Sequence, residues 1–173
     1  LPFHFAIGGK GVLHDDLQAL IKKKKLTDKV SLLGFIPDED LPPLHALADV
    51  FIMPGTAELQ SISTMEAMAS GSAVIAADAV ALPELVKYKQ NGFLCEPHNI
   101  DDYAAAISTL FTDETLRDEY GKESLKIIQK HRIENIIDTF VHIYDRAIKE
   151  HQPAPNPSLT DRVSEFVSRL NPL

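Results

Sequence analysis

The sequence predicts an α/β fold, a Rossmann-like parallel sheet flanked by helices and followed by C-terminal helices. Three observations carry that expectation. Five short apolar runs are separated by stretches of helical periodicity, the rhythm of a parallel sheet covered on both faces. Beyond the fifth run the pattern becomes wholly helical. The run at 50–53 ends at Pro54-Gly55 and leads through a polar, carboxylate-bearing loop into a helix, and such junctions face the ligand crevice of open α/β sheets.

The first strand is expected at 3–7, followed by Gly8-Gly9-Lys10-Gly11. Gly9-x-Gly11 is a poor dinucleotide fingerprint, because the third glycine is absent and the next helix starts several residues later. That helix, near 15–25, ends in Lys22 to Lys25, where cations suit the last carbonyls. A solvated helix end is the leading reading and contact with anionic lipid the lesser one. A second strand at 30–33 and a helix near 42–48 come next, then the third strand at 50–53 and a helix at 62–70. In that helix Ile62, Met65, Met68 and Ala69 form one apolar stripe, Ser61 or a neighbour caps it, and Gly71 closes it. Strands at 73–76 and 92–95 flank a short helix near 82–86. Asn99 or Asp101 caps a helix at 100–111, Asp113 caps another running towards Lys130, and 133–150 repeats apolar residues on one face.

One domain is expected over residues 1–151. A Pro-rich linker at 152–158 and an amphipathic C-terminal helix in 159–173 follow. In the tail Leu159, Val163, Phe166, Val167 and Leu170 line one face. Arg162 and Arg169 are balanced by Asp161 and Glu165, so docking on protein is expected ahead of binding a membrane surface.

The chain has 173 residues, 45% of them hydrophobic, enough for a sizeable core. No apolar run approaches the ~20 residues needed to cross a bilayer. The beginning of the chain has no charged region followed by an apolar signal segment. A cytoplasmic location is expected, with weak peripheral contact at the inner face of the membrane as the alternative. The net charge of -8 argues against a general nucleic-acid surface. Cys95, the single cysteine, sits in an apolar run and reads as a core thiol. The seven histidines include no i, i+4 pair or acidic set resembling a metal site, so no metal and no cofactor are expected.

Glu58 and Glu66 stand eight positions apart, one before the helix at 62–70 and one inside it. The free N–H groups at the start of such a helix favour an anion, and a nucleotide diphosphate fits there.

With these residues in view, the chain resembles the donor-binding, carboxyl-terminal half of the retaining family-4 glycosyltransferases of the GT-B fold. The resemblance spans roughly residues 3 to 145. It rests on Gly8-Gly9-Lys10-Gly11, the segments at 30–37 and 48–54, the E-x7-E pair Glu58 and Glu66, the segment at 66–76, and Leu82-Pro83-Glu84-Leu85-Val86 before Asn91-Gly92-Phe93-Leu94. It implies that Glu66 accepts hydrogen bonds from the two ribose hydroxyls of the donor, a task suited to an acceptor with two oxygens. Glu58 then lies near the transferred sugar, and backbone N–H groups of Gln60, Ser61 and Ile62, beside Leu59, face the diphosphate. Gly34, Phe35, Ile36 and Pro37 match the segment holding the nucleobase. Leu59 and Ser61 replace the family's usual glycines, a variant that works if both residues keep negative φ.

The resemblance also implies a partner set: a nucleoside diphosphate sugar, and a glycan or lipid acceptor bound by an amino-terminal domain not in this chain. The family's further opening strand and its loop with an Arg and a Lys are also not seen, so the chain reads as a fragment expected to lack turnover alone. A non-catalytic sugar-nucleotide-binding or scaffolding domain and a sugar-nucleotide epimerase are the alternatives.

Overall fold

The computed structural model describes residues 3–151 and 158–170, with side chains to residue 165. These divide into two compact units between His131 and Arg132. The first unit holds strands β1 (Phe5–Gly8), β2 (Val30–Gly34), β3 (Val50–Met53), β4 (Ala73–Ala77) and β5 (Gly92–Cys95). Its helices are α1 (His14–Lys23), α2 (Leu41–Leu47), α3 (Ile62–Ala69), α4 (Leu82–Leu85), α5 (Ile100–Thr112) and α6 (Glu114–Ile127).

Every described strand pair is parallel, but the strands form two ladders where one sheet was expected. β1 pairs with β2, and β4 lies between β3 and β5. Among the described residues, no strand pairs with the outer edge of β1 or of β3. β1 starts two residues later than the expected 3–7 and ends one residue further on. Phe5 N–H begins the ladder on the Lys29 carbonyl, and Gly9 N–H extends it to the Gly34 carbonyl at 2.7 Å.

β4 is buried along its whole length, as a parallel strand covered on both faces must be. Successive side chains of a strand point to opposite faces, and β4 obeys from Ala73 to Ala76, with Ala77 at its end joining the same core as Ala76. Val74 and Ala76 join Met68, Leu82, Leu85 and Ile128 in one core, whereas Ala73 and Ile75 join Cys95, Ala106, Leu110 and Tyr120 in the other. Alanines at three of its five positions let the covering helices come close. α6 approaches so tightly at Gly121 that any Cβ there would overlap the Gly71 carbonyl oxygen at the end of α3.

Helix caps follow local chemistry. Asn99, not Asp101, caps α5 by accepting from Asp102 N–H at 3.3 Å. Asp113 caps α6 by accepting from Leu116 N–H at 2.9 Å, and α6 gives way to a 3-10 turn, Ile128–His131, before Lys130.

The second unit begins with α7 (Ile133–Glu150), which buries none of its residues; Phe140 and Tyr144 stack on it with ring centroids 6.3 Å apart. α8 (Leu159–Leu170) opens on a reciprocal cap: Asp161 accepts from Ser158 N–H at 2.9 Å, and the Ser158 hydroxyl accepts from Asp161 N–H at 3.1 Å. The Ser158 hydroxyl, which also donates to the Asp161 carboxylate at 2.7 Å, and then the Ser158 N–H hold that carboxyl below its ordinary range. The linker at 152–157 and the side chains of Phe166, Val167 and Leu170 lie outside the described residues.

Candidate functional site

Because each ladder is parallel, the carboxyl ends of its strands share one edge, and the candidate residues follow those ends. Met53 ends β3, and the loop 54–61 carries the chain to α3. Glu58 is half-buried; it folds back so that a Cβ on Gly55 would meet its Cγ and Oε1 at 3.4 Å. Its carbonyl accepts from Ala81 N–H at 3.3 Å, which ties the loop to the turn before α4. Leu59 and Gln60 point outward, Leu59 at 88% exposure.

Ser61 overturns two expectations. It stands in the left-handed region at φ 53° and ψ 67°, the conformation that favours glycine, so the negative φ set as a condition for the Leu59 and Ser61 variant is not met at Ser61. Nor does it cap α3 with its side chain. The hydroxyl, on a residue only 3% exposed, lies 2.7 Å from the Thr64 hydroxyl and is consumed there. The backbone N–H groups of Gln60, Ser61, Ile62 and Ser63 therefore have no protein acceptor among the described residues, and the positive end of the helix dipole is left open. Ile62 itself is exposed.

Glu66, in the second turn of α3, keeps 44% of its side chain open. Its Oε2 lies 3.8 Å from Nε2 of His45 on α2. His45 is buried, edge-on to Phe51 of β3 at 5.5 Å between ring centroids. Sequence reasoning missed this neighbour because no spacing rule relates position 45 to position 66, and the histidines were screened only for metal patterns.

The second group stands at the end of β2. Gly34 has a φ of 66°, Phe35 is 66% exposed beneath the Lys10 ammonium, which sits 5.5 Å from the ring centroid, and Pro37 starts the turn towards α2. Ile36 packs so close to Gly8 that a Cβ on Gly8 would clash with its Cδ1. A hollow of about 190 Å³ opens beside this group, lined by Ile7, Gly8, Gly9, Lys10, Leu17 and Leu32 among others. No hydrogen bond, ion pair or ring contact joins this group to Glu58 or Glu66 among the described residues. A larger hollow of about 370 Å³, lined by Lys89, Gln90, Glu119 and Lys126 among others, lies where β5 begins, the end opposite to the one that usually takes ligands.

Cys95 belongs to the core. Burial, and then the Asp102 carboxylate, push its thiol up to about 11, so it stays protonated at neutral pH. The native chain is expected to react with a disulfide reagent at least a hundredfold more slowly than the urea-unfolded chain, because the thiolate is the nucleophile. Equal rates would place Cys95 at the surface. Lys22 to Lys25 are exposed at the end of α1. Among the described residues no group of three His, Cys, Asp or Glu side chains is placed to hold a metal, and no helix is long and apolar enough to cross a membrane.

Known proteins are similar to this chain in sequence and in fold. A glycosyltransferase of Methanocaldococcus jannaschii is 30% identical over 144 residues, covering 83% of this chain and 37% of that protein. The poly(ribitol-phosphate) alpha-N-acetylglucosaminyltransferase of Staphylococcus aureus is 30% identical over 145 residues, covering 82% and 29%. The crystal structure of Anabaena HepE in complex with UDP matches with a TM-score of 0.73 at 26% identity, covering 85% of this chain and 41% of that one. The chain thus spans about a third of the length of the curated relatives it matches. Residues 2–127, well over half of the chain, match the family described as glycosyl transferases group 1, and the chain belongs to that family.

Proposed function

We propose that this chain forms the donor-nucleotide half of a retaining glycosyltransferase, one that moves a sugar from a nucleoside diphosphate sugar to a glycan or lipid acceptor. The start of α3 carries this reading. Four consecutive N–H groups without protein acceptors among the described residues, at the positive end of a helix, flanked by two partly open glutamates, suit a diphosphate joined to two polyols. HepE, similar in sequence and fold, binds UDP, which supports the same ligand class here.

In the proposed reaction the bond between the anomeric carbon and the diphosphate oxygen breaks, while the acceptor oxygen bonds to that carbon on the same face. Attack on that face retains the configuration, and the acceptor proton passes to the departing diphosphate. The α3 N–H groups and helix dipole stabilise the negative charge that develops on the leaving group, the main contribution of this half. Glu66 accepts from the ribose hydroxyls. Glu58 accepts from a sugar hydroxyl and offsets positive charge at the anomeric carbon. Phe35, exposed and flanked by Gly34, Ile36 and Pro37, offers the base a flat apolar surface.

Titrating the chain with UDP and with GDP, followed by amide nuclear magnetic resonance, tests the reading. The largest shifts are expected at Gln60 to Ser63 and at Glu66. Shifts confined to the hollow around Lys89 and Lys126, or none with either nucleotide, would overturn it.

A further inference from the structure

Glu66 is not alone at its post. The His45 side chain is 8% exposed and packed edge-on against Phe51, and its Nε2 has no hydrogen-bond partner among the described residues. A buried ring nitrogen left unpaired is costly and rare enough to need a reason. The nearest carboxylate oxygen is Glu66 Oε2 at 3.8 Å, beyond hydrogen-bond range by roughly 0.6 Å. α2 and α3 pack against one another, so a small shift of the Glu66 side chain, nearly half of which is free in solvent, is enough to close that gap.

We propose that His45 is a positioning residue for Glu66. With the proton on Nε2, the ring N–H donates to Oε2 and fixes the carboxylate plane, leaving Oε1 and the remaining lone pairs to accept from the two ribose hydroxyls. A carboxylate only accepts, so the histidine must be the donor in this pair. The closed contact satisfies Nε2 and restrains Glu66 in the same step, and nucleotide binding draws it shut. The inference rests on the reading of Glu66 as the ribose-binding group.

The experiment compares UDP with 2′,3′-dideoxy-UDP on the full chain by amide titration, which reads weak affinities. The wild type is expected to prefer UDP by tenfold or more. Glu66→Ala is expected to abolish that preference; if the preference survives, the ribose reading falls and the proposal with it. His45→Phe keeps the packing on Phe51 but removes the donor. It is expected to weaken UDP binding at least fivefold while leaving dideoxy-UDP unchanged, and His45→Gln, which returns an N–H donor, is expected to recover most of the loss. Equal weakening of both nucleotides by His45→Phe, or no change in either, would overturn the proposal while the Glu66 result stands. Should the Phe variant not fold, long-range proton–nitrogen spectra of the wild type decide. Nε2 must carry the proton in the UDP complex, and an unprotonated Nε2 refutes the assignment.

Discussion

Replacing Glu66 by alanine lowers the affinity for a nucleoside diphosphate by about tenfold or more. Hydrogen bonds to a charged acceptor are worth ~1.5–3 kcal/mol each. Losing even one of the two made to a vicinal diol therefore exceeds the 1.4 kcal/mol that corresponds to a decade in affinity. The substitution leaves the fold intact, because the side chain is 44% open and alanine is at least as good a helix former as glutamate. Calorimetric titration with UDP of both proteins measures the difference, with thermal unfolding as the control. Unchanged affinity would remove Glu66 from the ribose site.

Ser61→Val destabilises the chain by about 2–5 kcal/mol, the sum of two separate penalties. A β-branched residue at a φ of 53° crowds the backbone further and adds roughly 1–2 kcal/mol to the strain that serine already bears. The Thr64 hydroxyl, fully buried, loses its partner 2.7 Å away, and an unpaired buried polar group costs another ~1–3 kcal/mol. Ser61→Gly separates them. It removes the backbone strain and the hydrogen bond together, so its net effect stays within about 1 kcal/mol. Urea unfolding of the three proteins gives the comparison. Equal stability of the valine and serine proteins would mean that Ser61 is not held in this conformation.

Strand identities were legible because each buried parallel strand is a short apolar run between breakers; β3 and β5 have the expected bounds and β4 extends by one residue. The E-x7-E pair was legible because it lies within one strand–loop–helix unit. The backbone of Ser61 was not, because serine is compatible with either sign of φ and its choice is imposed by the Thr64 hydroxyl and the burial around it. His45 was invisible for a related reason: its proximity to Glu66 arises from the packing of α2 on α3 and β3, which no local pattern encodes. The break between compact units at Arg132 was hidden as well. The apolar periodicity of α7 promises burial, yet the helix buries no residue among those described.

The contrast between the ladders has a consequence on the scale of time. β4 has a hydrogen-bonded neighbour on each side and a core on each face, so its amides meet solvent protons only when that whole layer comes apart. Among the described residues β1 has one hydrogen-bonded neighbour, only Ile7 is partly buried, and the helix that follows it in the chain, α1, has no buried residue. That corner opens through small, frequent excursions. The loop Gly9-Lys10-Gly11 is attached to it, so the part of the chain nearest Phe35 breathes quickly while the strand beneath Glu66 stays shut.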